Sequence, residues 1–297
     1  MVEIDESYQI LPDKLRGRKP KFKLQKDNKQ YIYKYGSVND EIWAELIAEQ
    51  LGLQAGITMA HYRLAKWKDT IGVITDYFVG KEELIISSDN LKKAVQAILN
   101  ENNILAMLKN NSLENIMTAA YTYDNTIDTA KLTRELMKRW IFYGLIMESD
   151  KNSTNISFIK NPKTGLRLSP DYDNSSMALL NKNIRGFIDA LRNGYSVYYF
   201  TDNVKIHLAR SEKDTGNFLE DFAFYVQKYP LECREILNCL SLIDPSKAIE
   251  KVEEINDVTV PWPVNFWVCK TINSRKEDLL RIFNKNNKDK KVKKYEL

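Results

Sequence analysis

Asp150 and Asn155 stand in the order D-x-x-x-x-N within ESDKNSTNISF, and two further acids, Asp171 and Asp173, follow in LSPDYDNSS. A carboxylate, a carboxamide and a later carboxylate in that order suit phosphoryl transfer. One Asp orients an acceptor hydroxyl and takes up its proton, the Asn oxygen ligates magnesium, and a second Asp bridges magnesium to a triphosphate. Upstream, Lys34 ends the strand-like run QYIYK, where an ammonium can meet phosphate oxygens, and acidic residues on the following helix can hold it. Each piece alone has a blander reading. A loop of Asp, Asn and Ser is ordinarily a solvated connector, and a lysine beside Tyr33 and Tyr35 is ordinarily a solvated strand residue. Glu41 and Glu45 share a helix face away from the apolar stripe, as a charged solvent face would. The order in which the pieces occur favours the chemical reading. Physics alone does not choose between Asp171 and Asp173 for the metal.

The elements that must position these residues are legible from periodicity. KFKLQ and QYIYK flank a polar turn at Lys26-Asp27-Asn28-Lys29, which predicts a hairpin over 21–34. Ile42, Trp43, Leu46, Ile47 and Leu51 recur at helical spacing, with Asn39 or Asp40 to cap the start and Gly52 to end it. MAHYRLA and TIGVITDYF read as two more strands. Beyond Gly80 the pattern is mainly helical, with amphipathic stretches near 91–109, 129–147, 215–228, 231–242, 246–254 and 265–284. One β interruption stands among them: NISFI and LRLSP flank Asn161-Pro162-Lys163-Thr164-Gly165 and predict a hairpin directly after the apolar helix RWIFYGLIM. A rigid hairpin there would hold two metal ligands facing each other. The expected fold class is α+β, with a β-rich unit over 1–79 and a helical one over 80–297.

Composition narrows the chemistry further. The 297 residues, 43% hydrophobic and 28% charged, suit a soluble globular chain, and no apolar run is long enough to span a bilayer. The N-terminus lacks a basic and then apolar leader pattern, so the expected location is cytoplasmic. Only His61 and His207 are present, which leaves little for a Ser-His-Asp triad or a histidine metal site, so a metal would have to take oxygen ligands. Cys233, Cys239 and Cys269 show no metal-ligand spacing and read as buried reduced thiols. The net charge of +4 owes much to the tail at 285–297, which reads as a solvated end or as a contact for nucleic acid or an acidic partner. Trp262 and Trp267, beside Pro261 and Pro263, read as packing residues and not as a base-stacking platform.

RGRKPKFKLQKDNKQYIYKYG, NDEIWAELIAEQLGL, GVITDYF, ESDKNSTNISF and LSPDYD, in that order, resemble the kinase domain of HipA-like serine/threonine kinases. The resemblance implies a bilobal protein-kinase-like fold with a small β-rich N-lobe and a larger helical C-lobe. It also implies ATP with magnesium, and phosphorylation of a protein or of the chain itself, in some members within a toxin–antitoxin pair. By position it makes Asp150 the catalytic base, Asn155 a metal ligand and Asp173, after Tyr172, the magnesium aspartate. It makes Lys34 the phosphate lysine and Glu41 the acid at the helix start. Asp76 to Phe78 become the adenine-facing hinge, and Gly17 to Lys21 the phosphate-covering loop. Asn152 departs from the pattern, because the family places a histidine there.

The leading functional reading is therefore an ATP- and magnesium-dependent kinase acting on a protein Ser/Thr hydroxyl, with an unidentified protein substrate and a small DNA-binding antitoxin as partners. The alternatives are a lipid or small-molecule kinase, since fold does not fix the acceptor, and a non-catalytic pseudokinase bound to a nucleic-acid-associated partner.

Overall fold

The computed structural model describes residues 1–12, 15, 19–36, 40–99, 112–152, 154–202, 204 and 217–293, with the side chains of 99 and 287–293 left out. Strands β1 (Val2–Ile4), β2 (Gln9–Leu11), β3 (Lys21–Lys26), β4 (Lys29–Lys34), β5 (Tyr62–Trp67) and β6 (Thr70–Asp76) form one sheet in the order β1-β5-β6-β4-β3-β2. Its pairs are antiparallel except β1 with β5. The β3–β4 turn holds Asp27 and Asn28 at φ 49° and 61°. Positive φ at both central residues is what a tight hairpin with the right twist demands, and Asp and Asn tolerate it.

The first compact unit comprises residues 1–78, 170–195 and 244–270, and the second comprises 79–169, 196–243 and 271–297. The sequence division at 79 treats the units as continuous, whereas the first unit takes back two later segments. Long-range bonds explain this return. Asp171 donates its N–H to the Thr58 carbonyl and accepts from the Ala60 N–H, both at 2.8 Å. Asn256 Oδ1 accepts the Leu64 N–H at 2.7 Å, and Asp244 donates its N–H to Gln54 Oε1 at 2.7 Å.

Helix α1 (Asp40–Gln54) lies in the first unit. It runs past Gly52, which does not end it as expected. A Cβ at Gly52 would overlap the Met59 thioether, so the glycine serves close packing. Asn39, one of the two proposed caps, lies outside the described residues. Glu41 and Glu45 are buried at 9% and 2% exposure, so the solvent-face expectation for them is overturned. Their carboxylates face lysines and a backbone amide, which cover them as an apolar stripe would be covered by core.

The second unit contains α2 (Ser88–Leu99), α3 (Leu113–Tyr123) and α4 (Thr129–Ile146), then α5 (Ile184–Arg192) returns to the first, followed in the second by α6 (Tyr198–Thr201), α7 (Phe218–Lys228) and α8 (Pro230–Ser241). Helix α9 (Pro245–Asn256) belongs to the first unit, and α10 (Trp262–Lys293) starts there and ends in the second. The expected stretches at 91–109 and 215–228 run partly outside the described residues, as do His207 and the last residues of the basic tail. The hairpin β8 (Ser157–Asn161) and β9 (Gly165–Leu168) forms as expected but gains a partner, β7 (Leu84–Ser87), inside a segment read as helical. The core of this unit is built on α4, where Trp140 packs against Phe218 and Tyr225 with ring centroids 4.9 and 4.8 Å apart. Trp267 is fully buried and donates to the Ala178 carbonyl, but Trp262 is 57% exposed, against the packing expectation for it. Cys233 is buried, and burial pushes its thiol up to about 12; Cys239 and Cys269 are only half-buried. No helix among the described residues is long and apolar enough to cross a membrane.

Candidate functional site

Lys34 closes β4 opposite Lys21 of β3 and Val73 of β6, on the face away from buried Tyr33, because successive strand residues alternate sides. Its ammonium pairs with Glu45 Oε1 at 2.5 Å and with Asp173 Oδ1. Burial alone would lower its pKa, but the two carboxylates outweigh that and hold the group firmly protonated. Lys34 is therefore not a solvated strand residue: its side chain is 12% exposed.

Glu45 does more than hold the lysine. Its second oxygen accepts the Asn174 N–H at 2.8 Å, which ties the turn after Asp173 to α1. Glu41, the acid expected at the site, instead pairs with Lys19 at 2.9 Å, and Lys19 also donates to Ser175 Oγ at 2.8 Å. Lys19, Lys34, Gly36, Glu41, Glu45 and Ser175 line one small pocket. Lys21 stands near the same charges. Burial lowers its pKa and neighbouring Lys34 and Lys19 do the same, against the pull of Asp173 and Glu45. Two ammoniums and two carboxylates line that pocket, with the Lys21 ammonium near the same charges, and phosphate oxygens and a hard cation can both find partners among them.

The two competing aspartates differ in setting. Asp171 is 3% exposed, anchored to 58–60 through its backbone, and its Oδ2 accepts from Asn174 Nδ2 at 2.9 Å. Asp173 is 29% exposed at the side chain, faces Lys34 and adopts φ 61°, the left-handed region that a non-glycine residue enters at a cost. Its N–H donates to the Tyr62 hydroxyl at 3.3 Å. Burial holds that phenol well above its ordinary pKa, with Glu45 and Asp173 adding to the effect, so Tyr62 stays neutral. At the hinge positions, the Tyr77 N–H already donates to the Gln30 carbonyl at 2.9 Å and Phe78 packs on Tyr172 at 5.5 Å. The Asp76 side chain is 63% exposed beside Arg63. Gly17 lies outside the described residues.

Asp150 and Asn155 belong to the second unit and are joined there. Helix α4 ends at Met147 in the left-handed region, φ 54°, and Glu148, fully buried, accepts the Asp150 N–H at 3.0 Å. Asn155 Nδ2 donates to the Asp150 carbonyl at 2.7 Å, which closes the D-x-x-x-x-N segment into one loop. Asn152, where the resemblance calls for histidine, accepts from the Thr154 N–H at 2.8 Å and donates to the Asp150 carbonyl at 3.2 Å, so a carboxamide shapes the turn. Lys151 is wholly buried with its ammonium over the Tyr143 ring at 5.0 Å. In the same unit, Asp124 holds the hairpin through Lys160 Nζ at 2.8 Å and the Leu166 N–H at 2.9 Å. Sequence reading missed Ser175, Tyr62, Asn174 and Asp124; it placed Lys19 only within the loop 17–21, and it named Glu45 beside Glu41 without choosing it as the partner of Lys34. Only Glu45, four residues after Glu41 on one helix face, carried a visible signal.

The profile of the HipA-like C-terminal domain family matches residues 14–238. The chain belongs to that family. Its fold is α+β, as expected, and is similar to that of the Helicobacter pylori proinflammatory kinase CtkA, with a TM-score of 0.76, 16% identity, and coverage of 97% of this chain and 98% of that one. It is also similar to HipA in the Shewanella oneidensis MR-1 toxin–antitoxin complex of HipA, HipB and operator DNA. There the TM-score is 0.55 and the identity 14%, over 92% of this chain and 64% of that one. No curated protein sequence matches. Membership supports a kinase or toxin-like function.

Proposed function

We propose that this chain is an ATP- and magnesium-dependent kinase that transfers the γ-phosphoryl group to a Ser/Thr hydroxyl of a protein. The observation that carries the reading is Lys34 clamped between Glu45 and Asp173, with Lys19 and Lys21 beside it, in a chain of the HipA-like family. Magnesium-bound ATP, when present, supplies the phosphoryl group and spreads its charge over the metal. In the first unit, the Lys34 ammonium would hold phosphate oxygens, Glu45 would keep that ammonium in place, and the Asp173 carboxylate would hold a metal. In the second, the Asn155 side-chain oxygen is of the kind that would hold a metal. Asp150, exposed at the head of its loop, orients the acceptor hydroxyl and receives its proton as the new oxygen–phosphorus bond forms and the bond to ADP breaks. Glu41, Lys21 and Gly17 take part in nucleotide binding, and Asp76 to Phe78 border the base.

The proposal extends to a cytoplasmic toxin partnered by a small DNA-binding antitoxin, in the manner named for the Shewanella complex. The test is incubation with γ-labelled ATP, alone and with cell extract, for the wild type and Asp150→Asn. Label on a protein that disappears with Asp150→Asn supports the reading. Label on a lipid or small molecule transfers the protein to the alternative kinase class, and nucleotide binding without any transfer makes it a pseudokinase.

A further inference from the structure

Residues 58–60 and Asp171 form a short parallel ladder. Met59 bridges Asp171, the Asp171 N–H donates to the Thr58 carbonyl, and the Ala60 N–H donates to the Asp171 carbonyl, both at 2.8 Å. The next N–H on that side of the second segment belongs to Asp173, where the chain leaves the extended path at φ 61°. That N–H donates to the Tyr62 hydroxyl at 3.3 Å, so a side-chain oxygen takes over from the backbone acceptors as the ladder ends. We propose that Tyr62 is a positioning residue of the kinase site, whose hydroxyl holds the turn that sets the Asp173 carboxylate on Lys34; this deepens the kinase reading and rests on it.

Strand register explains how this tyrosine reaches the turn. Tyr62 and Ile32 both pair with Thr75, and Lys34 pairs with Val73 two residues along, so Tyr62 and Lys34 stand on one face of the sheet and Tyr33 on the other. Tyr62 is 7% exposed, and its own N–H is fixed to Glu49 Oε2 at 2.7 Å; Glu49 is buried one turn beyond Glu45 on α1. The sheet therefore presents an ammonium to the Asp173 carboxylate and a hydroxyl to the Asp173 N–H. A non-glycine residue stays in the left-handed region only where its surroundings fix it at more than one point. Lys34 and Tyr62 are two such points. Without the hydroxyl, the backbone at Asp173 relaxes toward the extended region, which draws the carboxylate off its place beside Lys34 and weakens its hold on magnesium, a cation that suits such an oxygen donor.

Titration calorimetry of a non-hydrolysable ATP analogue as a function of magnesium, with thermal melts in parallel, tests this on Tyr62→Phe, Tyr33→Phe, Asp173→Asn and the double variant Tyr62→Phe/Asp173→Asn. Loss of an outer partner that orients a metal ligand typically costs about 10–100-fold in metal affinity, so Tyr62→Phe should raise the half-saturating magnesium concentration by about 10-fold. Tyr33→Phe controls for a merely structural loss, because the Tyr33 hydroxyl, on the other face, donates to the Thr70 carbonyl at 2.9 Å; it should lower Tm and leave magnesium dependence unchanged. In the double variant, Tyr62→Phe should add nothing to the loss caused by Asp173→Asn, since the hydroxyl acts through that residue. The proposal is overturned, and the kinase reading stands alone, if Tyr62→Phe keeps wild-type magnesium dependence while Asp173→Asn loses it. A rise in Tyr33→Phe as large as in Tyr62→Phe, or a further rise in the double variant, also overturns it. Should Tyr62→Phe not fold, amide hydrogen exchange of the wild type decides: protection of the Asp173 N–H supports its bond to Tyr62, and exchange at the unprotected rate overturns the proposal. Normal magnesium dependence in Asp173→Asn removes the reading and the proposal together.

Discussion

Glu45→Gln and Glu41→Gln make a matched pair, because each swaps a carboxylate on α1 for its neutral isostere. Glu45 is 2% exposed, faces an ammonium 12% exposed, and also accepts a backbone N–H. Removing one partner of a fully buried ion pair costs about 3–5 kcal/mol, but Lys34 keeps Asp173 and Gln keeps an acceptor, so about 2–3 kcal/mol is expected, the upper range for hydrogen bonds to charged groups. At about 2–4 °C per kcal/mol in a chain of this size, that is a fall in Tm of about 4–12 °C. Glu41 pairs with a lysine 32% exposed, and such partly solvated pairs are worth about 0–1 kcal/mol. Glu41→Gln should therefore fall within about 4 °C of the wild type. Transfer should drop about 10²-fold in Glu45→Gln, the scale of a misplaced positioning group, and much less in Glu41→Gln. The stability gap should be flat between about pH 6 and 9. Lys34 has a raised folded pKa, so the stability it brings is complete below its ordinary value of 10.5 and is lost only as pH rises through the raised value. Thermal melts by circular dichroism at several pH values, with a labelled-phosphate assay, measure all of this. Equal effects from the two variants, or a larger one from Glu41→Gln, would refute the assignment of Glu45 as the lysine's partner.

Lys34→Met keeps an apolar stem and removes the ammonium, so transfer should fall at least about 10²-fold while cooperative unfolding persists; unchanged turnover returns Lys34 to a purely structural role. Gly144→Ala should destabilise by about 1–3 kcal/mol, seen in urea melts, although alanine is ordinarily the better helix residue, because a Cβ there would run into the Phe218 ring. Asp124→Asn should lower stability near neutral pH by about 1–3 kcal/mol and flatten the acid limb of unfolding. The Lys160 bond, then Thr126, holds that carboxyl well below its ordinary 3.8, so its contribution is present above that value and lost as pH falls through the depressed one. An acid midpoint identical to that of the wild type would count against it.

What the chain discloses by itself is what depends on near neighbours. The β3–β4 hairpin was legible because alternation over KFKLQ and QYIYK and the positive-φ tolerance of Asp27 and Asn28 are properties of adjacent residues. Helices α1, α2, α4 and α7 to α10 were legible from their period, whereas α5 and α6 fall outside the stretches it marked, and the D-x-x-x-x-N segment was legible as one loop, which the structure closes with a bond between Asn155 and Asp150. The tertiary structure decided the rest. Glu41 and Glu45 share a helix face, so no local rule tells which one meets Lys34; the placement of α1 against β4 does, and it sends Glu41 to Lys19. Asp171 and Asp173 are equal in sequence and unequal in space, because Asp171 is tied to Thr58 and Ala60 and Asp173 is turned toward Lys34. Strand β7 was hidden because four residues whose strand partner among the described residues is β8, far along the chain, carry too short a pattern to register. In each case the missing information is a contact between distant parts of the chain, whose energy comes from burial and pairing that exist only once both parts have folded.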